Sequence, residues 1–114
     1  MVKDYIVVFI TTSNAAEAEK IAHILVSRRK AACVNILPRV DSRFWWEGKI
    51  ESANESLLIV KTKASLLDEL ARLVKENHSY EVTEIIALPI VGGNRDYFKW
   101  IDSEIEGKAD EWGR

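Results

Sequence analysis

The run Cys33-Val-Asn-Ile-Leu-Pro-Arg-Val-Asp-Ser-Arg-Phe-Trp-Trp46, closed by Glu47-Gly48-Lys49 and answered by the return to Lys63, decides the fold. Cys33 to Leu37 reads as the start of a second strand, which resumes after Pro38 through Val40, Phe44 and Trp46. Glu47-Gly48-Lys49 supplies the turn. The third strand runs back from Lys49, is irregular around Ser52-Ala53-Asn54 and becomes strongly apolar at Leu57-Leu58-Ile59-Val60. From about Ala32 to Trp46 an extended strand spans roughly 45–50 Å, at ~3.3 Å per residue. A domain of this size has a radius of gyration of only about 13 Å. Such a hairpin projects from the body. Its aromatic tip, Phe44-Trp45-Trp46, is costly in water and is best explained as an arm on a neighbouring subunit. The alternative reading ends the strand at Pro38 and makes 39–46 a loop.

Outward from the hairpin, Tyr5-Ile-Val-Val-Phe-Ile10 is β-branched and aromatic and reads as strand 1. Asn14 or Ser13 caps a first helix, with Glu17 placed as in a capping box. Ala18, Ile21, Ala22, Leu25 and Val26 form its buried face, and Arg28-Arg29-Lys30 put cations at its end. Thr11-Thr12-Ser13-Asn14 reads as capping rather than as an anion cradle, since no glycine lets a phosphate approach. Ser65 with Asp68 opens a second helix, buried through Leu66 or Leu67, Leu70, Leu73 and Val74. Strand 4 runs from about Val82 to Val91. Gly92-Gly93 breaks the chain, and Asn94 caps a short final helix with Tyr97, Trp100 or Ile101, and Ile105 on one stripe.

The order β-α-β-β-α-β plus a terminal helix is that of an α+β, ferredoxin-like domain, an antiparallel sheet with two helices on one face. Pro38 and Pro89 fit a strand order 4-1-3-2, because proline is confined to edges, strand starts and bulges. Strands 1, 3 and 4 are apolar on both faces, whereas helices on one side should leave the other wet and alternating. Another copy of the sheet is the expected cover.

The 114 residues suit one domain, 1–114, with 107–114 as a polar tail that carries Trp112. Leu, Ile, Val and Phe make up about 30% of the chain, enough for a core. The net charge of −2 and the absence of a basic stripe speak against a nucleic-acid partner. The N-terminal apolar run is too short to span a membrane. One cysteine, Cys33, forms no internal disulfide, which suits a reducing, cytoplasmic compartment.

Five blocks then stand in one order: Ala31-Ala32-Cys33-Val34-Asn35, Trp46-Glu47-Gly48-Lys49-Ile50 with Lys61-Thr62, His78 with Tyr80-Glu81-Val82, Glu84-Ile85-Ile86, and Tyr97 with Trp100. Together they resemble the CutA family of divalent-cation tolerance proteins, over roughly residues 5–105. The resemblance implies a ferredoxin-like protomer with an extended β2–β3 hairpin, a homotrimer with its sheets around the axis, and an intracellular role in tolerance of divalent metals, copper among them. Its trimer architecture is similar to that of the PII signalling proteins, which implies a sensor or transducer by analogy of fold. The family pattern has Pro where Ser79 and Thr83 stand here, a Tyr in place of Phe44, and in some members a thiol at the position of Thr11.

Cys33 inside Ala-Ala-Cys-Val reads first as a small buried hydrophobe, and His23 as a solvated surface residue. His78 at a helix end is electrostatically favoured as a cation. With Tyr80 and Glu84 it also brings an imidazole, a phenol and a carboxylate to one short segment. Imidazole suits copper and zinc. The expected metal set is therefore His78 and Glu84, with Cys33 as the soft donor. No cofactor is required; a weakly bound divalent metal, copper or zinc, is the expected ligand. Lys61, Glu55 and Glu84 are ionisable groups beside buried strands and need partners; Lys61 with a carboxylate is the economical pairing. With Trp46, Tyr80, Tyr97 and Trp100, Glu55 and Lys61 would line an interface pocket. The expected function is a trimeric, metal-binding tolerance protein with no catalysis. The alternative is a PII-like module that takes a metabolite or partner protein between subunits, with no physiological metal. An acylphosphatase-like enzyme lacks a nucleophile–base pair and an arginine cradle. An RNA-recognition module lacks aromatic stacking residues on strand 3.

Overall fold

In the computed structural model, which describes residues 4–105, the elements follow the expected order. They are β1 (Tyr5–Thr12), α1 (Ala15–Ser27), β2 (Cys33–Trp46), β3 (Lys49–Lys63), α2 (Leu67–Glu76), β4 (Ile85–Pro89) and α3 (Arg95–Glu104). The four strands form one antiparallel sheet in the order β2-β3-β1-β4, the 4-1-3-2 arrangement expected from the prolines. The tail 107–114 and Trp112 lie outside the described residues.

Alternation along β1 sets the core. Ile6, Val8, Ile10 and Thr12 are buried, and Tyr5, Val7, Phe9 and Thr11 are half-buried on the other side. The buried set packs with Leu58 and Val60 of β3 against Ala18, Ile21, Ala22 and Leu25 of α1 and Leu70, Leu73 and Val74 of α2. Val26 is exposed, because it sits one residue past the stripe at the helix end. Helix α1 is capped by Asn14, whose side chain accepts from the Glu17 N–H. It ends at Ser27, before the cations; Arg29 takes the left-handed conformation at φ 57°. Helix α2 is entered through a 3-10 turn, Ala64–Leu66, and not through a Ser65 cap; Asp68 and Glu69 complement its dipole instead. On α3 the buried stripe is Phe98, Ile101 and Ile105: Ile101 and Ile105 are on it as expected, while Phe98 takes the place expected of Tyr97, and Tyr97 and Trp100 are exposed. Strand β4 is shorter than expected: Val82 and Val91 are exposed beyond it, and Pro89, which cannot donate to the ladder, closes it.

The hairpin is the projecting arm. Strands β2 and β3 are 14 and 15 residues long and pair from Cys33↔Lys61 to Trp46↔Lys49. Glu47 and Gly48 form the two-residue turn, both at positive φ (49° and 79°), the geometry that matches strand twist. Pairing is regular through Ser52-Ala53-Asn54. The irregularity lies on β2 instead, where Leu37 pairs Leu57 and Val40 pairs Glu55, so Pro38 and Arg39 together oppose Ser56. A proline has no N–H to offer the ladder, so a bulge is where it fits. The arm stretches the molecule to 51 × 29 × 22 Å and its radius of gyration to 15.1 Å.

The sheet's second face carries Val7, Phe9, Leu57, Ile59, Ile86 and Leu88, placed there by the strand register. Helix α3 covers only the Tyr5 end of this face, where the Tyr5 and Phe98 rings stack at 4.9 Å. Ile86 and Leu88 keep 48% and 46% of their surface open, and at the arm tip Trp45 keeps 72%.

Leu58, fully buried at the centre of the sheet, sets the scale of the core. Leu58→Ala is expected to cost about 2–5 kcal/mol. Urea denaturation at a fixed chain concentration measures it.

Candidate functional site

Two polar clusters flank the open sheet face. The first is built where β1 ends, α1 begins and the segment 77–84 leads into β4. His78 is enclosed here. Its Nε2 lies 2.7 Å from the Thr11 carbonyl oxygen, and its Nδ1 accepts from the Tyr80 N–H at 3.0 Å. The carbonyl makes Nε2 the donor, and the amide makes Nδ1 the acceptor. Both ring nitrogens are therefore engaged. A metal on either one would have to displace a hydrogen bond.

Glu17 does more than complete the helix cap. One carboxylate oxygen accepts from the Ser13 N–H and hydroxyl and stands 3.8 Å from His78 Nε2; the other accepts from the Ser79 N–H at 2.9 Å. Burial pushes this carboxyl up. The hydrogen bonds from Ser13 and Ser79, with the nearby His78, outweigh it and hold the group below the usual carboxylate range. Tyr80 completes the cluster. Its hydroxyl donates to Glu55 Oε2 at 2.8 Å, and its ring lies 4.8 Å from that of His78. Burial, then the Glu55 carboxylate, pushes the Tyr80 phenol up to about 12. Glu84 is exposed and takes a long 3.4 Å bond from the Thr11 hydroxyl.

The second cluster sits at the other end of the sheet. Cys33 is half-buried rather than packed away, because it falls on the open face. Lys61 Nζ lies 3.8 Å from its Sγ and bonds the Asn35 side chain, so Lys61 has an amide and a thiol for neighbours in place of the expected carboxylate. Tyr97 reaches the same thiol; burial and then Cys33 raise its phenol. The Tyr97 and Trp100 rings lie 5.4 Å apart.

The expected sites are thus only partly assembled in one chain. His78 and Glu84 both reach Thr11, but Cys33 is level with Val7, about 13 Å further along the strand direction and two strands across the sheet. Among the described residues no group of three or more His, Cys, Asp or Glu is arranged to hold a metal. The described His78, Glu84 and Cys33 of one chain do not converge on a common point. The expected pocket divides likewise: Glu55 pairs with Tyr80, Lys61 groups with Tyr97 and Trp100, and Trp46 lies at the far end of the arm. His23 is exposed, as expected. Ser13 and Ser79 were not foreseen in the network; the signal was the missing proline at 79.

Residues 6–104 match the model of the family described as CutA1 divalent ion tolerance protein. The chain belongs to that family. Its curated relatives include "Protein CutA 1, chloroplastic" from rice, 50% identical over 84% of this chain and 54% of the relative. The chain spans about half the length of the first curated relatives it matches. Among solved structures it is similar to the crystal structure of CutA1 from Oryza sativa, with a TM-score of 0.90 and 46% identity over 92% of this chain and 96% of that one. It is also similar to the periplasmic divalent cation tolerance protein CutA from Archaeoglobus fulgidus, with a TM-score of 0.87 and 43% identity over 90% and 99% of the two chains. The names of these relatives thus carry two compartments, chloroplast and periplasm. Among the described residues no helix is long and apolar enough to cross a membrane.

Ser79 donates its backbone N–H, which a proline at this position would lack, to Glu17 and brings its hydroxyl 3.2 Å from that of Ser13. The bond ties the 77–84 segment to the start of α1.

Because the folded-state value of Glu17 is lowered, its contribution to stability is fully present above its ordinary value of 4.5 and is lost as pH falls through the lower folded value. Acid titration followed by circular dichroism is expected to show less loss of stability below pH ~4.5 in Glu17→Gln than in the wild type.

Proposed function

We propose that the chain acts as a homotrimer in divalent-cation tolerance, binding copper-type ions weakly and passing the bound state on as a sensor, without a catalytic step. The observation that carries this reading is the uncovered apolar face formed by Val7, Phe9, Leu57, Ile59, Ile86 and Leu88, beside an arm that ends in exposed Trp45 and Ile50. Apolar surface on this scale favours association. Copies of the sheet packed face to face about an axis would bury it, with each arm laid along a neighbour.

The reading also says where a metal belongs. Glu84 is exposed beside Thr11 and Cys33 is half-buried, both at the open face, so donors from different protomers can complete what one chain leaves incomplete. Thiolate suits copper(I) and zinc, and carboxylate completes the charge. His78 keeps its hydrogen bonds in this reading. The thiol at one end of the sheet and the imidazole at the other make no nucleophile–base pair, which supports binding over catalysis. Cytoplasmic residence belongs to the same proposal and is supported by the single cysteine.

A second reading, a PII-like module binding a metabolite between subunits, is favoured by Cys33, which has the Lys61 cation on one side and Tyr97 of the Tyr97–Trp100 pair on the other. Native mass spectrometry with and without copper or zinc separates the two. The first reading expects a species of about 39 kDa, three times 13.0 kDa, that gains metal mass and loses it in Cys33→Ser or Glu84→Gln but not in His78→Ala. A folded 13.0 kDa species removes both readings. A trimer that takes up no metal removes the first.

A further inference from the structure

The arm has little of its own to hold its direction. Beyond the bulge its residues, Val40–Trp46 and Lys49–Asn54, are exposed or half-buried; a two-stranded ladder of this kind sets no angle to the body and is marginal unless its base is held. The bulge at Pro38 and Arg39 is where a strand bends. Opposite the bulge the alternation of β3 breaks: Glu55 and Ser56 are both buried in succession.

Each of these two residues is tied to a different part of the molecule. The Ser56 hydroxyl donates to the Pro38 carbonyl at 2.7 Å, and the Ser56 carbonyl accepts from the Thr12 hydroxyl at 3.4 Å. These bonds hold the bulge to β1. Glu55, the last arm-side residue, is 6% exposed and takes the Tyr80 hydroxyl. Tyr80 belongs to the segment leading into β4, which pairs with the other edge of β1. The segment therefore crosses the end of β1 to reach the base of the arm. Its other end is fastened by the Ser79 N–H on Glu17 and by His78 on the Thr11 carbonyl.

We propose that the segment from His78 to Tyr80 is a strut that fixes the angle of the β2–β3 arm, with the Tyr80 hydroxyl on the Glu55 carboxylate as its link. Tyr80 is a positioning residue in this device. Anything that shifts the segment, at Ser79 or at Glu84 further along, is transmitted to the arm through that bond. The strut is complete within one chain and stands independently of trimer formation and of metal binding.

Hydrogen exchange followed by mass spectrometry tests it on the full chain. Tyr80→Phe removes only the hydroxyl. The expected result is a fall of at least about tenfold in the protection of amides 40–46 and 49–55, with β1 and β4 unchanged. Glu55→Gln keeps an oxygen that accepts from Tyr80 and is expected to retain most of the protection, whereas Glu55→Ala matches Tyr80→Phe. Combining Tyr80→Phe with Glu55→Ala adds no further loss, because both remove one bond. Unchanged arm protection in Tyr80→Phe overturns the proposal. So does an equal loss over the whole sheet, which would make the bond part of the common core. Loss in Glu55→Gln as large as in Glu55→Ala also overturns it, since burial of the charge and not the hydroxyl link would then hold the arm.

Discussion

A sheet with apolar side chains on both faces, and helices enough for one, is the constraint on which the rest of this molecule depends. Val8, Ile10, Leu58 and Val60 are satisfied by α1 and α2. Val7, Phe9, Ile59, Ile86 and Leu88 are left facing away from both helices, and α3 is too short to reach past the Tyr5 end. Water contact there is unfavourable in proportion to the apolar area. The chain answers with geometry: one edge of the sheet is drawn out into an arm, and polar groups are kept to the two ends of the open face. Both candidate clusters owe their place to this division. Cys33 with Lys61 stands at one end and Glu84 with Thr11 at the other, with the apolar band between them.

The same constraint explains why polar side chains near the band are so fully bonded. A buried polar group without a partner costs about 1–3 kcal/mol, and a charged one more. Glu55 meets the Tyr80 hydroxyl, Glu17 takes up Ser13 and Ser79, and His78 uses both nitrogens. These bonds do structural work, and they carry the 77–84 segment across the end of β1. In a chain with serine rather than proline at 79, the segment is fastened by a hydrogen bond to Glu17 instead of by a rigid ring.

Much of this was legible in the residues. The β-branched runs, the Asn14 and Asn94 caps and the Glu47-Gly48 turn carry local physics strong enough to mark every element, and two prolines marked the sheet edges. The unalternating runs at 7–10, 57–60 and 85–88 announced the two-faced sheet. What escaped was decided by tertiary packing. A ten-residue helix can turn by one residue and still look amphipathic, so Phe98 and not Tyr97 faces inward. The bulge went to Pro38 rather than to Ser52-Ala53-Asn54, because a missing N–H interrupts a ladder more firmly than small polar side chains do. Spacing alone could not tell that Glu55 answers to Tyr80 while Lys61 answers to Asn35, since the second contact is set by the β2–β3 register and the first by the path of the 77–84 segment across the end of β1.

The site was the least legible part, and the reason is chemical. His78, Glu84 and Cys33 are residue types that metals favour, and Cys33 is the chain's one cysteine. Yet the imidazole's two nitrogens are consumed within its own loop, and the thiol is level with Val7, about 13 Å along the strand. A donor list read from sequence counts atoms; a site needs lone pairs that are free and converge. The Cys33 sulfur, with Lys61 and Tyr97 beside it, and the Glu84 carboxylate, with its long Thr11 bond, stand at the margins of the open face. Whatever covers that face also completes their surroundings. In the proposed trimer, association and ligand binding are one problem, and a change at either end of the open face is expected to show in both.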